Sequence, residues 1–458
     1  MKSVTLFSLM ALAFCHVTDG ACPLQASLGC FCQNSVVDCS DKHLTAVPAF
    51  TATGWDQFTI VRLSHNKITT IPNNAFLNIN VTTIELDYND ISSIANDAFK
   101  GVANYLTALN LEGNKLDVAS DAFIHLPHIT SLNILHNPVR SVPDPVFFAL
   151  GTTLLDFSFG DDELSVWPPT LDHLQTLKSL RFEGYAMGYI PFNAFHGFEL
   201  TLRKLTIRKT SLRIIPMAVK ELQYLEEFYF EDNIDVTDAG IIESAFEITH
   251  GSGESAIKTL SLKNNSLTTF PTALRQLPKL ENFFMDDNRL WFINDAMVSY
   301  VRGFMYNVSL KSCSLDRIPQ TILRIRNLRS LDLSNNNINS IYSNDFTFSD
   351  GNQTHEHLQV LNLANNPLAY IASTAFVNLV KLQELNITST DLKAIPQAVG
   401  KVPSLKKVYV HDTPVECTCE LKWIHSSNAR NVDFEGECDT ITQSIGNYIK
   451  RRIPNCPA

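Results

Sequence analysis

The chain has 458 residues, of which 45% are hydrophobic and 18% are charged. Its 47 acidic residues outnumber 36 Lys and Arg, and the net charge of −11 argues against nucleic acid or heparin-like polyanions as main partners. More than 400 residues are many for one globular core but ordinary for a continuous repeat array.

The first twenty residues predict a secretory signal peptide. Lys2 is followed by an apolar stretch from Val4 to Phe14, and small Gly20 precedes Ala21. The stretch is too short to span a membrane, so we expect cleavage after Gly20 and a secreted, extracellular protein. A buried N-terminal strand is the alternative interpretation.

A string of the form L-x-x-L-x-L-x-x-N recurs fifteen times between Phe58 and Thr413. Leu328, Leu331, Leu333 and Asn336 form one clear instance. Most asparagine positions are 23 or 25 residues apart, and such periods are typical of solenoids. A stacked array presents one long surface and, by default, no deep pocket. We therefore expect about fifteen repeats over 58–416 and a scaffold for binding.

Each repeat predicts a short strand, a turn and an irregular or helical return. Strand alternation directs the leucines into the core and the intervening residues outward. The asparagine ends the strand, and its amide can satisfy backbone groups of the turn that would otherwise be buried and unpaired. Small polar residues or Cys313 replace it in some repeats, but Tyr185 does not fit, so we expect a distorted turn there. The replacements are Asp162, Thr210, Cys313, Thr390 and Thr413.

The back halves of the repeats carry two further signals. Several short repeats have Pro after their second hydrophobic position, as in Ile215-Pro216 and Ile395-Pro396. Others carry a Phe that we expect to stack into a buried spine, which explains most of the 28 Phe without a ligand. The predicted spine residues are Phe76, Phe99, Phe123, Phe195, Phe246, Phe346 and Phe376.

Eight cysteines flank the repeats in two clusters. They are Cys22, Cys30, Cys32 and Cys39, and Cys417, Cys419, Cys438 and Cys456. An even number at each end of a secreted chain predicts disulfides, and a terminal repeat needs a lid because no neighbour covers it. Zinc is the alternative, although C-x-C spacing disfavours it. We expect cysteine-rich caps at 21–57 and 417–458.

The cap motifs resemble those of extracellular leucine-rich repeat proteins such as slit-type proteins and the Nogo receptor. The N-terminal motif is Cys22-x7-Cys30-x-Cys32-x6-Cys39, and the C-terminal one includes Cys417-x-Cys419-Glu420-Leu421-Lys422-Trp423. The resemblance implies a β-rich α/β solenoid, a curved right-handed horseshoe with a parallel concave sheet of about fifteen strands. It also implies the disulfides Cys22–Cys32, Cys30–Cys39, Cys417–Cys438 and Cys419–Cys456. Thr413 departs from the pattern, which usually has asparagine before the Pro.

Outward positions of the middle strands alternate in charge. In one lane the order is Arg208, Glu231, Lys263, Asp286 and Lys311. Such neighbours largely neutralise one another, each pair contributing ~0.2–1 kcal/mol. A self-satisfied charge ladder is therefore the simplest interpretation of this lane.

Two aromatic residues favour a binding surface in the same region. Tyr229 and Phe284 are predicted at the central outward positions of the eighth and tenth strands, with Ser261 between them. Exposed aromatics among charged groups are typical anchors of protein interfaces. We predict that this region binds the partner and call its binding residues the central patch: Arg208, Tyr229, Glu231, Lys263, Phe284 and Asp286.

Signals for catalysis, a metal or a cofactor are weak. The sequence has no H-E-x-x-H, no G-x-S-x-G and no phosphate-binding glycine loop. His355-Glu356-His357 lies in a long repeat and is better explained as a solvated insertion than as a metal site. Cys313, at an asparagine position, is expected to be buried, reduced and inert. We predict no enzyme activity and no cofactor.

Glycosylation would restrict the binding surface. Sequons begin at Asn80, Asn264, Asn307, Asn352 and Asn386. Asn264, Asn307 and Asn386 are predicted on or beside the outward strand face, where sugars would screen part of it.

The sequence thus predicts a secreted leucine-rich repeat protein that recognises an extracellular protein partner through its concave face. Three alternatives remain open: binding of a cell-surface or cell-wall glycoconjugate or a hydrolase, a structural matrix role, and a truncated receptor ectodomain. The mature sequence has no run of 18 apolar residues, so no membrane span is expected.

Overall fold

The computed structural model describes residues 22, 24, 28–51, 58–141, 143–249, 253–290, 293, 305–325, 327–347 and 357–456. The predicted signal peptide, Asn352, and the pair His355 and Glu356 lie outside these residues. The chain divides into two compact units, Met1–Asn137 and Pro138–Ala458.

Unit 1 is built on a sheet whose strands come from successive repeats. Strands β1 and β2 form an antiparallel hairpin, after which β2, β3, β5, β7 and β8 pair in parallel. Strands β4 and β6 form a separate parallel pair. They lie in the segments that directly follow the asparagine turns, and we call this part of the repeats the turn side. The bounds are β1 Phe31–Gln33, β2 Val36–Asp38, β3 Ile60–Arg62, β4 Thr70–Ile71, β5 Thr83–Glu85, β6 Ser93–Ile94, β7 Ala108–Asn110 and β8 Ser131–Asn133.

Unit 2 is built in the same way. Its main sheet is parallel, in the order β9 to β16, then β18, β20, β21 and β22, and β17 pairs with β19 on the turn side. The bounds are β9 Asp156–Phe159, β10 Ser179–Glu183, β11 Lys204–Arg208, β12 Glu227–Glu231, β13 Thr259–Ser261, β14 Asn282–Phe284, β15 Asn307–Ser309, β16 Ser330–Asp332, β17 Ser340–Ile341, β18 Val360–Asn362, β19 Tyr370–Ile371, β20 Glu384–Asn386, β21 Lys407–Tyr409 and β22 Asp433–Glu435. Each of the fifteen predicted repeats therefore contributes one strand to a main sheet.

Short helices form much of the return segments. The α-helices are α1 Asp144–Leu150 and α2 Ile445–Arg451. The 3-10 helices are Asp121–His125, Pro169–His173, Met217–Glu221, Asp238–Gly240, Thr272–Gln276, Ile322–Arg324, Gln397–Lys401, Cys419–Ser426, Asn428–Asn431 and Ile453–Asn455. Pro216 and Pro396 precede two of them, because the fixed φ of proline and its missing N–H suit a helix start.

The repeat asparagines behave as predicted. The Asn114 side-chain amide donates to the carbonyl oxygens of Leu86 at 3.0 Å and Leu111 at 2.9 Å. Its oxygen accepts the backbone N–H of Ile91 at 3.0 Å. One buried side chain therefore satisfies three backbone groups of two successive turns, and the pattern recurs at Asn66, Asn89, Asn137, Asn288, Asn336 and Asn366. We call the asparagine position of each repeat, including the repeats in which another residue such as Asp162, Tyr185 or Thr210 occupies it, the ladder position.

The predicted turn distortion is present at Tyr185. Its side chain is exposed, whereas the ladder asparagines are buried. The ladder continues weakly, because the Tyr185 N–H donates to Asp162 Oδ1 at 3.3 Å. Just before it, a Cβ on Gly184 would lie 2.4 Å from the carbonyl oxygen of Asp161, so this close approach requires glycine.

The core runs along the inner side of each sheet. In β12, Phe228 and Phe230 are buried while Glu227, Tyr229 and Glu231 face outward, which is the alternation that the repeat predicts. All seven predicted spine phenylalanines are buried. Phe76 and Phe99 stack at 5.5 Å, and Phe346 and Phe376 meet edge to face at 5.7 Å. These rings are core residues.

Disulfide-bonded segments occupy both ends of the chain. The pairs are Cys22–Cys32, Cys30–Cys39, Cys417–Cys438 and Cys419–Cys456, which confirms the pairing implied by the cap motifs. In unit 1 the β1–β2 hairpin covers the first repeat strand, and in unit 2 β22 covers the last. Each cap strand therefore supplies hydrogen bonds to a strand edge that would otherwise be unpaired.

Candidate binding surface

The central patch lies on the outward face of β11 to β14 and of the turns that follow them in unit 2. Tyr229 is register-paired with Ser261 and Ser261 with Phe284, so the three residues form the aromatic lane that the sequence predicts. Both rings are half-buried rather than fully exposed. Lys204 Nζ lies 5.1 Å from the Tyr229 ring centre, and Lys263 Nζ lies 4.9 Å from that of Phe284. The lysines shield the rings and hold them in place through cation–π contacts.

The hydroxyl of Tyr229 is also held. It donates to Glu227 Oε2 at 3.1 Å. Burial and the nearby Glu227 carboxylate raise the pKa of Tyr229 to about 12, so the ring stays neutral at physiological pH. A fixed neutral phenol offers a partner apolar area at little ordering cost.

The charge lane runs beside the aromatic lane and is largely paired. Arg208 Nε lies 3.4 Å from Glu231 Oε2, and Lys263 Nζ lies 2.8 Å from Asp286 Oδ2. Ser261 Oγ donates to Glu231 Oε1 at 2.5 Å, which ties the two lanes together. The predicted neutralisation is therefore present among the patch residues.

The charge lane extends one strand beyond its predicted start at Arg208. Glu183, at the end of β10, is register-paired with Arg208 and is only 2% exposed. Lys209 Nζ lies 3.0 Å from its carboxylate and Arg208 Nη1 lies 3.9 Å away, and Arg181 also donates to it. We call these four residues the carboxylate hub. Burial alone would raise the pKa of Glu183, but hydrogen bonds from Arg181 and Lys209 outweigh it and lower the pKa.

The sequence did not predict that Glu183 is buried among cations, because an outward strand position normally predicts an exposed side chain. One signal was available: Glu183 lies two residues before a ladder position, as Arg208 and Glu231 do, and it continues their alternation of sign. At the other end the lane stops at Lys311, which is exposed and donates its backbone N–H to Asp286 at 3.2 Å.

Four sequons fall within the described residues. Asn80 and Asn264 are exposed, and Asn307 and Asn386 lie half-buried on β15 and β20. Asn264 lies beside the central patch and donates to Asp232 at 2.7 Å. The fifth, Asn352, lies outside the described residues.

Cys313 is buried as predicted. Its thiol is fully buried and donates to the Met285 carbonyl oxygen at 3.2 Å. Burial raises its pKa to about 12. The thiolate needed for nucleophilic or redox chemistry is therefore scarce at neutral pH.

One cavity departs from the expectation of a solenoid without pockets. It measures about 940 Å³ on the turn side of unit 2. Leu290, Leu315 and Ile318 form apolar walls, and Arg289 and Asp345 contribute charges. Among the described residues no cluster of three or more His, Cys, Asp or Glu could hold a metal ion. None of the helices in the described ranges is long and apolar enough to cross a membrane.

The sequence of the chain matches two models of leucine-rich repeats. One matches residues 79–139 and 356–415, and the other matches 327–348. Tsukushi of Gallus gallus is 24% identical over 196 residues, which are 42% of this chain and 50% of that protein. Human oligodendrocyte-myelin glycoprotein is 22% identical over 206 residues, 43% of this chain and 44% of that protein. The alignments thus span about half the length of these relatives or less.

Solved structures share the fold at low sequence identity. A chain in the crystal structure of a TLR13–ssRNA13 complex aligns with a TM-score of 0.63 at 18% identity over 84% of this chain and 61% of that one. This chain is accordingly a leucine-rich repeat protein with cysteine-rich caps at both ends. Tsukushi and oligodendrocyte-myelin glycoprotein are similar to it over less than half of its length.

Proposed function

We propose that the chain is a secreted protein that recognises an extracellular protein partner through the outward face of its parallel sheet. Residues 1–20 act as the signal peptide, and caps at 21–57 and 417–458 close the repeats of 58–416. The central patch is the main contact site. The aromatic lane carries the proposal, because Tyr229 on β12 and Phe284 on β14 lie in register on either side of Ser261 on β13, and each ring contacts a lysine.

The geometry suits a broad protein surface. Rings held in place lose little freedom on binding, so most of their apolar area counts toward affinity. The flanking lane supplies both signs of charge within one alternating row, which favours a partner with complementary charges and disfavours a uniformly charged polymer. Arg208 and Glu231 can exchange part of their internal pairing for contacts across the interface.

Affinity capture from native extracellular material tests this proposal. The bait is the full chain, produced in a secretory cell so that its disulfides and glycans form. We expect Tyr229→Ala with Phe284→Ala to abolish capture of a protein that the wild type retains. The control is Tyr342→Ala with Tyr370→Ala, since these exposed rings lie 6.0 Å apart on the turn side of the same unit. Equal capture by both double variants would mean that the binding site lies outside the central patch.

A further inference from the structure

The turn side of unit 2 carries an apolar surface that the sheet-face function does not use. In three successive repeats, the fourth residue after the ladder position is apolar and exposed: Val166 (71%), Tyr189 (70%) and Ile214 (46%). The seventh residue is likewise apolar in the second and third of these repeats: Phe192 (51%) and Met217 (37%). We call these five residues the apolar stripe.

The five side chains share one surface. Val166, Tyr189 and Ile214 each lie ten residues after Asp156, Ser179 and Lys204, which are register-paired across β9, β10 and β11. Adjacent strands are ~4.8 Å apart, so the same position in successive repeats stacks side by side. The backbone N–H of Ser211 donates to the Met187 carbonyl oxygen at 3.1 Å, which joins two of these turns directly.

The stripe has defined ends. The equivalent position in the preceding repeat is Ser141, and in the following repeat the place beside Ile214 is taken by Gly240, whose carbonyl accepts the Ile215 N–H at 3.0 Å. In several other repeats this position holds a small polar residue, such as Thr70 or Ser93, or a single exposed Val118 or Tyr370 without a large apolar residue at the same position in the adjacent repeats. Three consecutive large apolar side chains are therefore a local feature of these repeats and not a property of the repeat pattern.

The charges around the stripe indicate its occupant. Glu163 at the Val166 end pairs with Arg140 at 2.7 Å, joining two successive repeats. Arg213 at the Ile214 end occupies the same repeat position as Arg140, but the residue facing it from the next repeat is exposed Ile234 instead of a glutamate. The stripe thus has a carboxylate at one end and, at the other, a cation whose corresponding partner is missing.

A second copy of the same surface supplies that carboxylate. A two-fold axis at Tyr189 sets Val166 of one copy against Ile214 of the other and brings Arg213 to Glu163 twice. Such an isologous contact closes on itself and does not propagate. We propose that the apolar stripe is the interface of a homodimer, formed antiparallel about Tyr189.

The area is sufficient for such a contact. From their exposed fractions and ~150–250 Å² for a large side chain, the five residues expose on the order of 500 Å² per copy. Two copies bring on the order of 1,000 Å² of apolar surface together, and a polar rim completes a standard interface of ~1,200–2,000 Å². Among the sequons on described residues none begins within the stripe, so glycans attached there do not originate inside the contact.

Sedimentation velocity on the full secreted chain, from about 1 to 100 µM, tests the proposal. We expect a concentration-dependent dimer. Tyr189→Ser with Ile214→Ser should raise the dimer Kd by at least about 1,000-fold, because truncating one interface anchor weakens binding about 30-fold and at least two anchors are lost. Val118→Ser is the matched control, since Val118 is 42% exposed at the same repeat position in unit 1. It should leave Kd unchanged.

Charge reversal tests the symmetry of the contact and does not depend on the apolar variant folding. Arg213→Glu and Glu163→Lys should each weaken self-association at least ~10-fold, since like charges then face each other across the axis. An equimolar mixture of the two variants should dimerise as tightly as the wild type. A monomeric wild type at 100 µM, a dimer indifferent to Tyr189→Ser with Ile214→Ser, or a mixture that fails to recover would each overturn the proposal.

Discussion

The carboxylate hub gives the sharpest test of the electrostatics of the sheet face. Glu183→Gln keeps the size of the side chain and removes its charge. Lys209, Arg208 and Arg181 then lose a common counter-ion that lies 3.0 and 3.9 Å from the first two and accepts hydrogen bonds from the third. Because the carboxylate is 2% exposed, water cannot take its place at that point.

The expected loss is about 2–3 kcal/mol. A pair of unit charges ~4 Å apart attracts by ~4 kcal/mol at an effective dielectric of about 20. Part of this is offset, since the variant no longer buries a carboxylate and the three cations are partly exposed and regain water. Arg208 also keeps Asp232 and Glu231. The net falls below the ~3–5 kcal/mol of a fully buried pair broken on one side.

Urea unfolding followed by circular dichroism measures the free energy of unfolding of the two proteins. Glu226→Gln is the control, because Glu226 pairs with Lys258 at 2.7 Å on the exposed surface, and we expect no measurable change there. Equal effects of Glu183→Gln and Glu226→Gln would refute the argument that burial makes the hub matter.

The pH dependence has a definite sign. The folded pKa of Glu183 lies below its ordinary 4.5, so the hub contributes stability above that value and loses it as pH falls through the lowered pKa. The difference in the free energy of unfolding between wild type and Glu183→Gln should therefore be largest at pH 7 and should shrink below about pH 4. If this difference in the free energy of unfolding were the same at pH 3 as at pH 7, it would contradict the conclusion that the Glu183 carboxylate is charged in the folded state.

Three further predictions concern the ladder, the thiol and the glycans. Asn114→Ala should reduce the free energy of unfolding by about 2–4 kcal/mol in urea because it strands buried backbone groups, whereas Asn110→Ala, whose half-buried side chain accepts one bond at 3.1 Å, should cost about 1 kcal/mol or less. Cys313 should resist iodoacetamide in the folded chain at pH 8, since its thiolate forms only near pH 12, and should react at once in urea; mass spectrometry counts the adducts, and rapid native labelling would contradict its burial. Glycopeptide mass spectrometry should find Asn264 unoccupied, because a sugar beside the central patch would block it; full occupancy would contradict the proposed site.

The repeat pattern predicted the strands and ladder contacts because each is set locally. A leucine every second residue determines which face is buried, and an asparagine such as Asn114 has only neighbouring turns to bond. The disulfide pairing came from the resemblance of the caps, since four cysteines in one cluster allow three pairings and spacing does not choose among them. Tyr185 was identified as an exception because its ring cannot make the amide contacts of an asparagine.

The rest depends on side-chain geometry that a repeat pattern does not contain. Glu183 occupies an outward position, yet it is buried because Arg181 and cations from β11 converge on it from two strands. The exposure of Tyr189 and Ile214 was equally unpredictable, because the buried Ile190 and Ile215 directly follow them with the same hydrophobic character. Only the register of neighbouring turns separates a core residue from a surface one there.

The most direct test of the proposed recognition is the affinity of a purified partner for three forms of the chain, measured by surface plasmon resonance. The forms are the wild type, Tyr229→Ala with Phe284→Ala, and Tyr342→Ala with Tyr370→Ala. Two interface anchors lost together should raise Kd by about 100-fold or more, while the turn-side control should match the wild type. Equal affinity of all three forms would contradict recognition through the central patch.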